Sequence, residues 1–136
     1  MSDVIPSRIK PVYGHDNKWW WEQVEKGLLS IQRCSNCQTL RHPPRPMCHQ
    51  CQSLEWEAQT ASGKGTVCSF TTLHYPEFPG YSYPLIIILV DLEEGTRMTS
   101  QLIDCDPEAV EFGMPVTMQM HTDDDGFKLP VFKPAA

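Results

Sequence analysis

The chain has 136 residues, enough for one domain or two very small ones and too few for two large lobes around a cleft. Eleven Lys and Arg against seventeen Asp and Glu give a net charge of −6, which argues against a nucleic-acid binder, since those carry a positive balance or a basic stripe. Twelve prolines, roughly twice ordinary usage, and eight glycines argue against a helical bundle and predict short elements joined by turns.

The opening segment, Met1 to Pro6, has neither the basic nor the apolar stretch of a signal peptide, so a cytoplasmic protein is expected. Pro6, Pro11 and Gly14 predict an extended arm over residues 1–14. Asp16 or Asn17 can cap a helix over 17–26 that Gly27 ends. Trp20, Val24 and Leu28 recur on one face of it, with Trp21 at the side of that stripe. Trp19 points elsewhere, so at least one of the three consecutive tryptophans is expected to be exposed or covered by a partner.

Leu29 to Arg33 reads as a short strand entering Cys34-Ser35-Asn36-Cys37, and Gln38 to Pro43 returns from it. The turn Pro43-Pro44-Arg45-Pro46 delivers Cys48-His49-Gln50-Cys51, and Leu54 to Glu57 leaves as an alternating strand. Two residues between the cysteines of each pair let both sulfurs converge on one ion, and four thiolates close the tetrahedral shell of structural zinc. His42 or His49 could replace one thiolate. Redox pairs are disfavoured because neither pair opens a helix after a strand. Gln38 and Gln52 stand where rubredoxin-type iron knuckles place glycine, which argues against iron.

From about residue 60 the pattern is all-β. Ser62-Gly63-Lys64-Gly65 opens a strand from Thr66 to Tyr75, and its glycines suit a bulge or bend. An aromatic, proline-rich loop follows, holding His74, Tyr75, Phe78, Tyr81 and Tyr83. Leu85 to Leu92 is a nearly continuous apolar strand whose core, Leu85 to Val90, is far short of the roughly 20 residues that span a bilayer. Gly95 turns the chain into a strand over 97–103. Asp106 caps a helical turn within 106–113, and strands over 116–121 and 127–132 complete the chain. Five short strands with a helical turn before the fourth predict a small barrel of the OB type. The fold class is therefore mainly β: an N-terminal arm and helix (1–30), a rubredoxin-like zinc ribbon (31–58) and a five-stranded OB-fold barrel (59–136).

In combination, the aromatic helix with Gly27-Leu28, the two cysteine knuckles, Pro43-Pro44-Arg45, Ser62-Gly63-Lys64-Gly65-Thr66-Val67, Val90-Asp91-Leu92-Glu93-Glu94-Gly95 and Pro130-Val131-Phe132 resemble a known family. It is the family of zinc-ribbon OB-fold proteins associated with acyl-CoA metabolism, long catalogued as a domain of unknown function. The resemblance covers about residues 16–133. It implies a non-catalytic accessory subunit bound to a larger partner: a thiolase-like enzyme, an acyltransferase, a steroid side-chain aldolase or an acyl-CoA hydratase. The partner would carry the nucleophile, and acyl-CoA would lie at or near the interface.

The expected site residues follow from these readings. Cys34, Cys37, Cys48 and Cys51 hold one zinc ion. Arg45 and Lys64 are candidates for CoA phosphate contact, because a guanidinium fork or an ammonium suits that group. Trp19, Tyr75, Phe78, Tyr81 and Tyr83 are candidates for contact with the partner or its substrate channel, since aromatics supply much of the energy at interface centres. Cys68 and Cys105 read as small buried hydrophobes, His74 as a satisfied or solvent-facing residue and the one histidine to test for chemistry, and Asp123, Asp124 and Asp125 as a solvated turn with calcium a poor alternative. The competing class is a zinc-ribbon and OB-fold nucleic-acid module, which the net charge disfavours.

Overall fold

A computed structural model describes residues 8–135. The first seven residues of the expected N-terminal arm lie outside the described residues. Helix α1 (Lys18–Glu25) starts after Asn17, whose side-chain oxygen accepts from the Gly14 amide at 2.6 Å and makes no cap bond within the helix. It ends in a Schellman closure: Gly27 N donates to the Val24 carbonyl at 2.8 Å and Leu28 N to that of Gln23 at 3.0 Å, with Gly27 at φ +82°. That closure swings Leu28 off the helical stripe. It is exposed, contrary to the spacing argument, while Trp20 and Val24 are buried as expected.

The three tryptophans all find cover within the chain. Trp20 is buried and donates from Nε1 to the Ser30 carbonyl at 2.8 Å. Trp21 packs against Phe127, ring centroids 5.5 Å apart, and Trp19 against Trp56 at 4.6 Å. Trp19 is not left bare, because strand β3 brings Trp56 to it, but it stays half-buried.

The ribbon is a three-stranded antiparallel sheet of β1 (Ser30–Cys34), β2 (Leu40–Arg41) and β3 (Trp56–Thr60), with β1 central. The chain then enters a closed barrel of β4 (Lys64–Leu73), β5 (Leu85–Leu92), β6 (Arg97–Leu102), β7 (Pro115–Thr122) and β8 (Lys128–Pro134), ordered β4-β5-β6-β8-β7. One parallel contact, Leu102 with Phe132, closes β6 on β8; the other barrel pairs are antiparallel. A short 3₁₀ turn, Pro107–Ala109, precedes β7, and Asp106 Oδ1 accepts from Glu108 N at 3.0 Å. The fold is the expected one: mainly β, with an N-terminal helix, a zinc ribbon and an OB-fold barrel.

The bulge in β4 falls at Cys68, between Val67 and Ser69, and not at the glycines. Gly65 has a different reason: a Cβ there would sit 2.6 Å from Val90 Cγ1 and 2.7 Å from the Asp91 carbonyl oxygen. The barrel interior holds Val67, Ile86, Ile88, Val90, Leu92, Met98, Leu102, Val116 and Phe132. The same cluster continues through Ala61 into Ile31, Leu29, Val24 and Trp20, so ribbon, helix and barrel share one core. In β5, Ile86, Ile88, Val90 and Leu92 point inward, which leaves Leu85, Ile87 and Leu89 on the outer face. This outer row is already partly covered by the chain: Leu85 is buried, and Ile87 and Leu89 are half-buried.

Candidate functional site

Each knuckle is a tight turn of the same design. Gln38 N donates to the Cys34 carbonyl and Gln52 N to that of Cys48, both at 3.0 Å, while Cys34 N and Cys48 N donate to Thr39 and Ser53 carbonyls at 2.9 Å. Gln38 and Gln52 sit at φ 69° and 60°, the left-handed region that favours glycine. The knuckles thus take the rubredoxin-like turn without glycine, and the absence of glycine loses its force as an argument about the metal.

The four sulfurs converge within 4.8 Å of one another, with Cys34–Cys51 at 3.6 Å and Cys37–Cys48 at 3.5 Å. Zn–S bonds of about 2.3 Å in a tetrahedron put sulfurs about 3.8 Å apart, so the donor set fits zinc. His42 and His49 stand outside it. Hydrogen bonds prepare two of the thiolates: Cys37 is drawn down to about 6, first by the Thr39 hydroxyl 3.1 Å away and then by the Thr39 amide. Cys34 is lowered by the backbone amides of Cys37 and Asn36. Four thiolates complete the shell, so the ion holds the ribbon together and keeps no open position for chemistry.

The second feature is an apolar cavity of about 550 Å³ against the outer face of β5 and β6. Leu85 and Ile87 form its floor, with Gln101, the cross-strand partner of Ile87. The loop between β4 and β5 supplies Phe78, Tyr81 and Tyr83; Trp20 and Trp21 come from α1, and His42, Pro43 and Pro44 from the ribbon. The loop is tied down: Phe78 N donates to Tyr83 Oη at 2.8 Å, Arg8 Nε to the Gly80 carbonyl at 3.1 Å, and Arg8 lies 4.4 Å over the Tyr81 ring.

Of the expected aromatic contacts, Phe78, Tyr81 and Tyr83 line this cavity. Tyr75 stands in solvent at 83% exposure, and Trp19 lines a separate cavity with Trp56. On the helix it is Trp21 and Trp20, not Trp19, that line the β5 cavity. Arg45 and Lys64 are not brought together. Arg45 lines the Trp19–Trp56 cavity and also a third one with Arg41 and Arg97, while Lys64 is an exposed residue at the start of β4. His74 is exposed, and Cys68 and Cys105 are only partly buried. The acidic turn is less solvated than expected. Asp123 is nearly buried and meets His121 Nε2 at 2.7 Å, while Lys10 at 2.6 Å holds the Asp125 carboxyl below its usual range. The residues missed were Ile87, Pro43 and Pro44; the uninterrupted apolar run through β5 was the signal for the first.

No helix among the described residues is long and apolar enough to cross a membrane. Family models match in two consecutive blocks: the ChsH2 rubredoxin-like zinc ribbon domain over residues 21–57 and the ChsH2 C-terminal OB-fold domain over 58–121. The chain is 41% identical over 128 residues to a probable enoyl-CoA hydratase alpha subunit of Thermomonospora curvata, covering 94% of this chain and 40% of that protein. It therefore spans about two fifths of that relative's length. A DUF35 domain-containing scaffold protein of Methanocaldococcus jannaschii is 38% identical over 99 residues, 71% of this chain and 70% of the relative. Among solved structures, a chain of the Ltp2-ChsH2(DUF35) aldolase superposes with a TM-score of 0.89 at 41% identity, covering 93% of this chain and all of that one.

Proposed function

The chain belongs to the zinc-ribbon OB-fold family of ChsH2 and DUF35 proteins, and from that premise we propose that it is a non-catalytic accessory subunit of a larger acyl-CoA enzyme. We infer a partner of the thiolase superfamily: a thiolase, an acyltransferase or a steroid side-chain aldolase. Its similarity to a protein named as a hydratase alpha subunit makes a hydratase the second candidate. One observation carries the reading: the apolar cavity on the outer face of β5, floored by Leu85 and Ile87 and flanked by Phe78, Tyr81, Tyr83 and Trp21. Aliphatic and aromatic walls of this size on the outside of a barrel suit an interface core. The larger subunit fills it, and Tyr75 at the loop tip reaches toward that subunit's substrate entrance.

Capture of the tagged chain from its native organism, followed by mass spectrometry, identifies the partner. Ile87→Asp should abolish co-purification and activation of that enzyme's acyl-CoA turnover, with zinc content and far-UV circular dichroism unchanged. Full activation by the folded variant, or robust turnover by the lone chain, overturns the proposal.

A further inference from the structure

Arg41 lies in the two-residue strand β2, opposite Gln32 of β1, and its side chain is 1% exposed. Its Nε donates to the Arg45 carbonyl at 3.1 Å, whereas Nη1 and Nη2 are buried with no hydrogen-bond partner. No carboxylate among the described residues pairs with it. A guanidinium removed from water and left unpaired is among the costliest groups a fold can bury, so its retention calls for an anion.

The surroundings supply a place for one. Arg41 lines a cavity of about 500 Å³ at the seam of ribbon and barrel, with His42 and Arg45 from the ribbon and Asp91, Thr96 and Arg97 from the β5–β6 hairpin. Asp91 is already engaged by Arg97. Arg45 is exposed and has no carboxylate partner among the described residues. Three arginines against one aspartate make a local cationic pocket on a chain whose net charge is −6. Guanidinium forks match phosphate oxygens in pairs, and the Thr96 hydroxyl adds a neutral donor.

We propose that this cavity is a phosphate site for a small phosphorylated metabolite, with Arg45 and Arg97 at its mouth making the contacts and Arg41 beneath it as the buried, uncompensated positive charge that favours an anion. The identity of the ligand rests on the accessory reading: an acyl-CoA presents a diphosphate and a phosphate monoester, so its nucleotide end would dock here. Lys64 has no part in it.

The test is an amide-resolved NMR titration of the zinc-loaded full chain at low salt. The probes are inorganic pyrophosphate, adenosine 3′,5′-bisphosphate and adenosine. Both phosphate-bearing probes should give saturable shifts at Arg41, His42 and Arg45 and at Thr96 and Arg97, and adenosine none. Tighter binding of the bisphosphate assigns the site to a nucleotide end, and equal binding assigns it to phosphate alone. Because Arg41 is buried, the deciding variant is Arg45→Ala with Arg97→Ala. It should weaken binding at least tenfold while zinc content and circular dichroism hold. No saturable shift at millimolar probe, shifts centred elsewhere, or unchanged affinity of the double variant overturns the site. If phosphate fails to bind while the partner enzyme is still activated, the site falls alone; if activation fails while phosphate binds, the accessory role falls alone.

Discussion

The ribbon sheet contains a strand of two residues and buries Ser30, Gln32 and Arg41 alongside Ile31, whereas the barrel closes five strands over an interior of Val, Ile, Leu, Met and Phe. Polar side chains occupy the ribbon where a core would need methyl groups. The ion supplies there what apolar burial supplies in the barrel, which is the arrangement expected of a module too small to fold on its own surface burial. Removing the metal and removing a core side chain should therefore damage different halves of the molecule.

The largest effect belongs to the metal. Chelation, or Cys48→Ser, should cost the ribbon on the order of 10 kcal/mol, the scale of structural zinc in small fingers. Hydrogen exchange read by mass spectrometry should show protection lost across β1–β3 and kept across β4–β8. If the barrel strands lose protection at the same chelator concentration, the contrast breaks, and the shared cluster of Trp20, Ile31 and the barrel makes one cooperative unit. Phe132→Ala is the converse. Phe132 is fully buried at the β6–β8 closure, so truncation should cost about 3–5 kcal/mol by denaturant unfolding. Zinc stoichiometry should stay at one ion per chain; a variant that loses its zinc would show that the ribbon leans on the barrel.

The same contrast sets what could be read from the sequence. The zinc site was legible because its four ligands come in two local pairs whose spacing already encodes the turns. The barrel strands were legible to within a few residues from alternation and turn chemistry. What escaped depends on contacts between distant segments. Trp19 is covered by Trp56, 37 positions away, and Leu28 left its stripe because a left-handed glycine ended the helix one residue earlier. Ile87 looked like one more core residue in an apolar run, and only the inward direction of Ile86 and Ile88 turns it outward. Arg41, an unremarkable arginine beside a histidine, becomes notable only when β2 pairs with β1 and buries it.

The smallest effect lies at the seam between the two halves. His42 lines both the apolar cavity and the arginine-lined one and packs 5.7 Å from the Trp20 ring. Burial lowers its pKa below the ordinary 6.5, because the imidazolium would lose its water. Between the folded and unfolded pKa values the unfolded chain takes up a proton that the folded chain does not. Stability should therefore fall as the pH drops through about 6.5 and level off once the folded form is also protonated. Acid also competes with zinc for the thiolates, so the wild-type curve alone does not isolate the histidine. His42→Phe keeps an aromatic ring against Trp20 and removes the titration. The difference between the two unfolding free energies, measured from pH 7.5 to 5, cancels the thiolate contribution common to both proteins. It should change in the variant's favour as the pH falls. A flat difference would mean that water reaches His42 in the folded protein, and that the seam between ribbon and barrel is open.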